Sequence, residues 1–332
     1  MKILAIETSC DETAASVVVD GKKVLSNVIL SQMDIHAAFG GVVPEVASRH
    51  HVVSIHQVME EALMKANVTA SDIDVVAVTK GPGLVGALMV GINAAKTFSY
   101  IHQIPLLGVD HLRGHIHAIS LTTTMKFPLL ALIVSGGHTE LVLMSSPTDY
   151  TLLGATKDDA VGEAYDKVAR VLGLGYPGGP VVDQYARQGS PSYDLPIPMK
   201  DNDAFDFSFS GLKSAVINLI HNANQKQEPI RVADMCASFQ HVVTEVLINQ
   251  TLRAARLYEV AQIAVVGGVS ANRELRKKIM SYIHEFEIVV PAFEYCTDNA
   301  AMIGAAAYAS IQDEPIFDTI ELDATVFSDI TR

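Results

Sequence analysis

Short apolar runs alternate with helical segments along this chain, and that alternation limits the possible folds more than any other feature. Ile3–Ile6 and Ser16–Val19 read as strands, with Asp20-Gly21 as a turn signal. His51–Ala66 reads as a helix, Val75–Thr79 as a buried strand, Gly83–Tyr100 as a long helix and Ile104–Val109 as another strand. Leu129–Val134 and Glu140–Met144 form a second hairpin pattern. Ala261–Val266 is a buried strand, and Asn299–Ser310 is a helix rich in small residues. The expectation is an α/β protein with mixed sheets. Thr122–Pro128 and Ser190–Asp206 read as loops or linkers, and Gln312–Arg332 as a loop with a short strand or tail. At 332 residues with 49% hydrophobic and 18% charged side chains, the chain can build about two domains or one large unit, and global disorder is excluded. No apolar run approaches the roughly 18–20 residues of a membrane span.

An echo runs through this pattern. Ile6–Thr13 can be laid on Leu132–Thr139, so that Ser9 meets Ser135 and Thr13 meets Thr139. Each segment is strand, polar turn, strand. A duplicated two-lobe fold with a ligand between the lobes would produce this, as would chance similarity of two hairpins.

Charge and cysteine usage narrow the function classes. The formal net charge is −13, so a nucleic-acid partner needs a local basic face or one lent by another protein. Cys10, Cys236 and Cys296 are far apart and contain no CxxC, which excludes a disulfide framework and fits a reducing, cytoplasmic compartment. Glu7 interrupts the N-terminal apolar run, so no secretory signal is expected.

Several motifs carry chemistry, each beside a plainer alternative. Gly81-Pro82-Gly83-Leu84-Val85-Gly86 fits GxGxxG between a strand and a helix, with Asp110 ending a later strand. It is either a dinucleotide loop or a tight turn packed against the sheet, and Pro82 removes one backbone donor. His111 and His115 share one helix face at i, i+4, with His117 on another. They are a metal pair or a packing pair. The HExxH glutamate is missing, and a carboxylate from elsewhere would complete a site suited to Fe(II) or Zn(II). Asp298 is either a helix cap or that carboxylate. Ser135-Gly136-Gly137-His138 is an anion-binding nest or an ordinary glycine hairpin. Val265–Asn272 is a strand–turn–helix that contacts a nucleotide or simply packs closely. Asp158–Lys167 reads as a solvated acidic helix start, with Glu163–Lys167 an i,i+4 pair, followed by the glycine/proline loop Gly175–Pro180. Arg273, Arg276, Lys277 and Lys278 form a basic cluster, either a phosphate contact or a solvated face.

Taken in order and spacing, Glu7–Thr13, His111–His115, Val134–His138, Phe207–Lys213, Gly267–Asn272 and Thr297–Asn299 resemble one family over nearly the whole chain. It is the universal tRNA threonylcarbamoyladenosine synthase family, once called the glycoprotease or O-sialoglycoprotein endopeptidase family, and the chain looks like a bacterial member. The resemblance implies a duplicated actin-like, sugar-kinase-like fold with a cleft between two lobes, residues 1–126 plus about 298–332 and residues 127–297. It implies transfer of a threonylcarbamoyl group from threonylcarbamoyl-adenylate to N6 of the adenosine beside the tRNA anticodon. Carried over by position, His111, His115 and Asp298 hold one divalent metal, Fe(II) first and Zn(II) as the alternative. Val134, Ser135, Gly136, Gly137, His138, Asp166, Gly179, Asp183 and Asn272 contact the adenylate. Asp11 and Glu12 lie at the reaction centre. The implied partners are tRNA, a sister paralogue and a small ATPase, with no membrane. Archaeal and eukaryotic cousins place a tyrosine ligand where this chain has Ile133, which cannot coordinate. The rival readings are a metallopeptidase, a small-molecule kinase of the same fold class (disfavoured because Glu7 stands where such kinases favour Asp), a dinucleotide-dependent oxidoreductase and a non-catalytic scaffold.

Overall fold

A computed structural model describes residues 1–199, 204–326 and 330–331. The loop expected over Ser190–Asp206 and the tail over Gln312–Arg332 therefore fall partly outside the described residues. The chain divides into two compact units: Met1–Met125 with Ser146–Tyr150 and Pro291–Arg332, and Lys126–Ser145 with Thr151–Val290.

The first unit is built on a five-stranded sheet of β1 (Lys2–Glu7), β2 (Glu12–Val19), β3 (Lys23–Ser31), β4 (Val75–Gly81) and β5 (Leu106–Asp110), in the order β3-β2-β1-β4-β5. β1, β2 and β3 form an antiparallel meander, whereas β1, β4 and β5 run parallel. The apolar runs are continuous because both faces of the sheet are covered. Leu4, Ile6, Val76 and Val78 pack with side chains of α2 (Pro44–Ala66) and α3 (Val85–His102), which follow the short α1 (Met33–Ala37). Ile3, Ala5 and Ala77 face the opposite way, onto α10 (Ala300–Asp313). That helix needs small residues: a Cβ on Gly304 would lie 2.7 Å from Val18 Cγ2. α4 (His111–His117) follows β5 directly. α2 begins at Pro44, seven residues before the expected His51, because proline is well suited to a first helical turn.

The second unit repeats the plan. β6 (Leu129–Val134), β7 (Thr139–Met144), β8 (Tyr150–Ala155), β9 (Gln262–Val266) and β10 (Glu287–Val289) lie in the order β8-β7-β6-β9-β10. β6 and β7 are an antiparallel hairpin, and β6, β9 and β10 are parallel. Each β-element thus occupies the position of its counterpart in the first sheet. The overlay of Ile6–Thr13 on Leu132–Thr139 also keeps hairpin register, with Glu7 opposite Ala14 and Ile133 opposite Glu140. The duplication is therefore a property of the fold. Around this sheet stand α5 (Val161–Val171), α6 (Gly178–Ala186), α7 (Ser210–Lys226), α8 (Val232–Leu257) and α9 (Arg273–Met280). Their core joins Leu130, Leu132, Tyr165, Val168, Phe207, Phe209 and Phe239.

Asp158 is not part of a merely solvated acidic face. Its carboxylate accepts from the Phe209 and Ser210 N–H groups (2.8 and 3.2 Å) and from the Ser208 and Ser210 hydroxyls (2.5 and 2.6 Å), closing the start of α7. Partial burial pushes its pKa up, but these donors outweigh that and hold it below the usual carboxylate value. Asp158→Ala is expected to lower stability by about 2 kcal/mol, read from the urea midpoint. The pH dependence has a definite sign. A lowered folded pKa gives stability that is present above the unfolded value and lost as pH falls through the folded one, so wild type and variant converge in acid.

Candidate functional site

In the first unit the parallel strands β1, β4 and β5 bring their carboxyl ends together, the edge where open α/β sheets bind ligands. Glu7 ends β1, Thr79 lies near the end of β4, and His111 follows β5. Asp110 caps α4 by accepting from Leu112 N–H (2.8 Å) and Arg113 N–H (3.2 Å). The helix so begun stacks His111 and His115 on one face, their ring centroids 4.6 Å apart. Gly114 lets α4 approach α10 closely, since a Cβ there would lie 2.7 Å from Ile303 Cδ1. The cap of α10 is Asn299, whose Oδ1 accepts from Met302 N–H (3.0 Å). Asp298, one residue earlier, lies beside the histidines, its Oδ1 3.2 Å from His115 Nε2 and 3.6 Å from His111 Nε2.

The donor set fits a metal. His111, His115 and Asp298 each offer one ligand atom within 4.8 Å of the others. His115 is fully buried and neither ring nitrogen has a hydrogen-bond partner, a costly state that a bound cation relieves. His111 Nδ1 donates to Glu7 Oε2 (2.9 Å), which also accepts from the Thr79 hydroxyl (2.6 Å), while Glu7 Oε1 accepts from Ser9 N–H (2.5 Å). This is the carboxylate–histidine pairing that leaves Nε2 as the ligand. Burial opposes charge on both groups, yet mutual attraction prevails: Glu7 is held below its usual value, and the Glu7 and Asp298 carboxylates raise His111 to about 9. Both Glu7 oxygens are thus engaged inside the protein.

Asp11, on the turn after β1, and Glu12, at the start of β2, are half-buried. Burial, then the Asp298 and Asp11 carboxylates, push Glu12 well above its usual pKa, although Ser31 Oγ donates to it (3.2 Å). The turn is braced by His51: its Nε2 donates to Cys10 O (2.9 Å), and its Nδ1 pairs with the Thr13 hydroxyl (2.7 Å). Sequence reasoning missed His51 and Thr79, for which no spacing pattern exists.

In the second unit Ser135–His138 forms a tight turn, with Ser135 N–H donating to His138 O (2.9 Å) and His138 N–H to Ser135 Oγ (3.1 Å). A Cβ on Gly136 or Gly137 would meet nothing within 4 Å, and their exposed backbone is open to a ligand. Val134 contributes no side chain here; it is buried in the core, as is Ile133, which offers no ligand atom. Asp166 Oδ1 accepts from Gly178 N–H (2.7 Å) and so fixes the start of α6, where Gly179 has open space for a Cβ. Asp183 and Asn272 meet through Gln240, whose Nε2 donates to Asp183 Oδ1 (3.2 Å) and whose Oε1 accepts from Asn272 Nδ2 (2.8 Å). The basic cluster is partly neutralised: Lys278 pairs with Glu274 (2.8 Å) and Glu245 (3.4 Å), and Arg276 donates to Ser270 O (2.7 Å), leaving Arg273 and Lys277 exposed.

The Gly81–Gly86 loop is a packing device, not a dinucleotide site. Gly81 has φ +149°, and its missing Cβ would fall on the Thr325 carbonyl oxygen. A Cβ on Gly83 would lie 2.6 Å from Ser9 O, and one on Gly86 2.5 Å from Ser48 Oγ. The protein's own atoms lie where a pyrophosphate would have to approach.

Two mixed sheets of one repeated topology, with a His–His–carboxylate group at a strand edge that could hold a metal ion, define an actin-like, sugar-kinase-like α/β protein. The fold is shared with full-length HypF in its phosphate- and nucleotide-bound form (TM-score 0.64, 13% identity, 96% of this chain and 56% of that one). It is also shared with component A of (R)-2-hydroxyglutaryl-CoA dehydratase from Acidaminococcus fermentans (TM-score 0.55, 16% identity, 94% and 98%). Within that class the family is specific. The tRNA N6-adenosine threonylcarbamoyltransferase (TsaD) family profile matches residues 23–305. Proteins of that name are 56% identical in Anoxybacillus flavithermus (94% of this chain, 92% of the relative) and 57% identical in Geobacillus thermodenitrificans (92% and 90%). The chain belongs to the tRNA N6-adenosine threonylcarbamoyltransferase family, and it is a transferase that modifies tRNA. Among the described residues no helix is long and apolar enough to cross a membrane.

Proposed function

We propose that this chain moves a threonylcarbamoyl group from threonylcarbamoyl-adenylate to N6 of the adenosine beside the tRNA anticodon, in the cytoplasm, together with a sister paralogue and a small ATPase. The observation that carries the metal-dependent part of this reading is the His111–His115–Asp298 group, in which buried His115 makes no hydrogen bond at either ring nitrogen and Glu7 stands behind His111. A divalent ion held by those three residues, Fe(II) first and Zn(II) as the alternative, supplies Lewis-acid polarisation of the donor carbonyl.

The chain's own groups do the rest. The Gly136 and Gly137 N–H groups, with Ser135 and His138 around them, receive the adenylate phosphate, which departs as AMP. Gly179, in the helix start that Asp166 fixes, and Asp183 with Asn272 hold the nucleoside. The acceptor amine is a poor nucleophile because its lone pair is delocalised into the adenine ring, so a base improves attack. Glu12, whose pKa burial and the neighbouring carboxylates push up, or its neighbour Asp11 takes the proton as the C–N bond forms. Glu12→Ala and Asp11→Ala are each assayed for labelled threonylcarbamoyl transfer to tRNA with the partner proteins present. Loss of about 100-fold or more in one of them, with the circular dichroism spectrum unchanged, is expected. Full activity in both would remove the carboxylates from the mechanism.

The −13 charge sets a further expectation. The isolated chain binds tRNA weakly, and raising salt from 50 to 200 mM weakens it further, because only local cations such as Arg273 and Lys277 meet phosphates. Tight, salt-insensitive binding by the lone chain would contradict a partner-supplied basic surface.

A further inference from the structure

Asp183 and Asn272 come from separate elements, the body of α6 and the start of α9. What joins them is one side chain from the middle of α8. Gln240 is 2% exposed, and each of its polar positions is used. Its two amide hydrogens go to Asp183 Oδ1 (3.2 Å) and Glu274 Oε2 (3.1 Å), and its carbonyl accepts from Asn272 Nδ2 (2.8 Å).

The chemistry of the neighbours fixes which way this amide points. Two carboxylates accept only, so the NH₂ end must face them. Asn272 Oδ1 is already taken by Leu275 N–H (2.9 Å) as the cap of α9, so the Asn272 end facing Gln240 is its NH₂. The Gln240 carbonyl must therefore face Asn272. Every assignment supports the next, so a flip of Asn272 breaks two hydrogen bonds and a flip of Gln240 three. Glu274 is in turn tied to Lys278 (2.8 Å). A buried carboxamide has three jobs here: it separates two carboxylates, fixes the Asp183 side chain and fixes the donor polarity of Asn272.

We infer that Gln240 is a positioning residue for the donor: it presets Asp183 and Asn272 for the nucleoside without touching it. This rests on the proposed placement of the adenylate against Asp183 and Asn272. An isosteric side chain that cannot hydrogen-bond keeps the volume and loses the preset geometry, so binding weakens while chemistry on the bound donor continues.

The test uses the full-length protein, AMP as the probe in calorimetric titration, and donor kinetics with the partner proteins present. Gln240→Met is expected to weaken AMP about tenfold, raise the donor KM by a similar factor and leave kcat within about threefold. Bound metal is expected to remain unchanged. Gln240→Glu, which sets a third carboxylate against Asp183 and Glu274, is expected to be worse. Gln240→Asn, one methylene short of its partners, carries the same test where Gln240→Met does not fold. A double-mutant cycle separates positioning from general stability: in an Asn272→Ala background the Gln240→Met effect on AMP should shrink below about threefold. Wild-type AMP affinity in folded Gln240→Met, or fully multiplicative effects in the cycle, would overturn the inference. AMP affinity unchanged by both Asp183→Ala and Asn272→Ala would instead overturn the placement of the adenylate, and the inference with it.

Discussion

His115→Ala is expected to abolish metal binding and lower threonylcarbamoyl transfer by about 100-fold or more, while barely changing the stability of the metal-free protein. The expectation of unchanged stability follows from an unusual feature of the side chain. His115 is fully buried, yet both of its nitrogens lack hydrogen-bond partners, so removing the imidazole deletes an unsatisfied group along with its packing. Metal added to wild type is expected to raise the melting temperature by mass action, with no such shift in the variant. His111→Ala makes the informative contrast. It removes a ligand and also leaves Glu7 buried with its charge unpaired, which costs about 3–5 kcal/mol, so this variant should be less stable even without metal. Stoichiometric metal in purified His115→Ala, measured by elemental analysis, would dissolve the His111–His115–Asp298 site. Metal lost with activity retained would make the ion structural.

What the sequence disclosed follows from which forces act locally. β1, β4, β6 and β9 were visible because strands covered on both faces become continuous apolar runs. β3 was not, since Lys23, Ser26, Asn27 and Ser31 break any apolar pattern on an edge strand. The 26-residue α8 stayed hidden although most of it is buried, because burial on several sides erases the amphipathic stripe. The histidine pair was legible because i, i+4 spacing is a local rule, and Gly136-Gly137 because glycine marks open backbone. Asp298 joins the histidines only through the packing of α4 against α10, and whether Asp298 or Asn299 caps that helix turns on backbone angles that composition does not report. The Gly81–Gly86 pattern shows the converse failure. Its glycines are needed for close approach, but of the protein to itself. Gln240 left no trace, since one glutamine inside a helix looks like any other until its three partners are seen.

Gly162→Ala is expected to raise the donor KM about tenfold or more and to destabilise the protein by about 1–3 kcal/mol, with the metal site intact. Gly162 opens α5 directly beneath the Ser135–His138 turn, donating its N–H to Ser135 O (3.2 Å). A methyl group on it would stand 2.6 Å from Ser135 O and 2.7 Å from Gly136 Cα. Both are backbone atoms, so no side-chain rotation relieves the clash and the turn itself must move. The turn presents the N–H groups proposed to receive the donor phosphate, and hydrogen bonds of that kind weaken steeply with displacement. Gly136→Ala is the control that separates shape from packing. Its Cβ meets nothing inside the protein and its φ lies outside the left-handed region, so the folded state should be as stable as wild type. If the turn receives the phosphate, Gly136→Ala should still impair donor binding, because the new methyl occupies the approach. A Gly136→Ala protein with a wild-type donor KM, beside a Gly162→Ala protein impaired only in stability, would show that the phosphate lies elsewhere and that this turn serves the core alone.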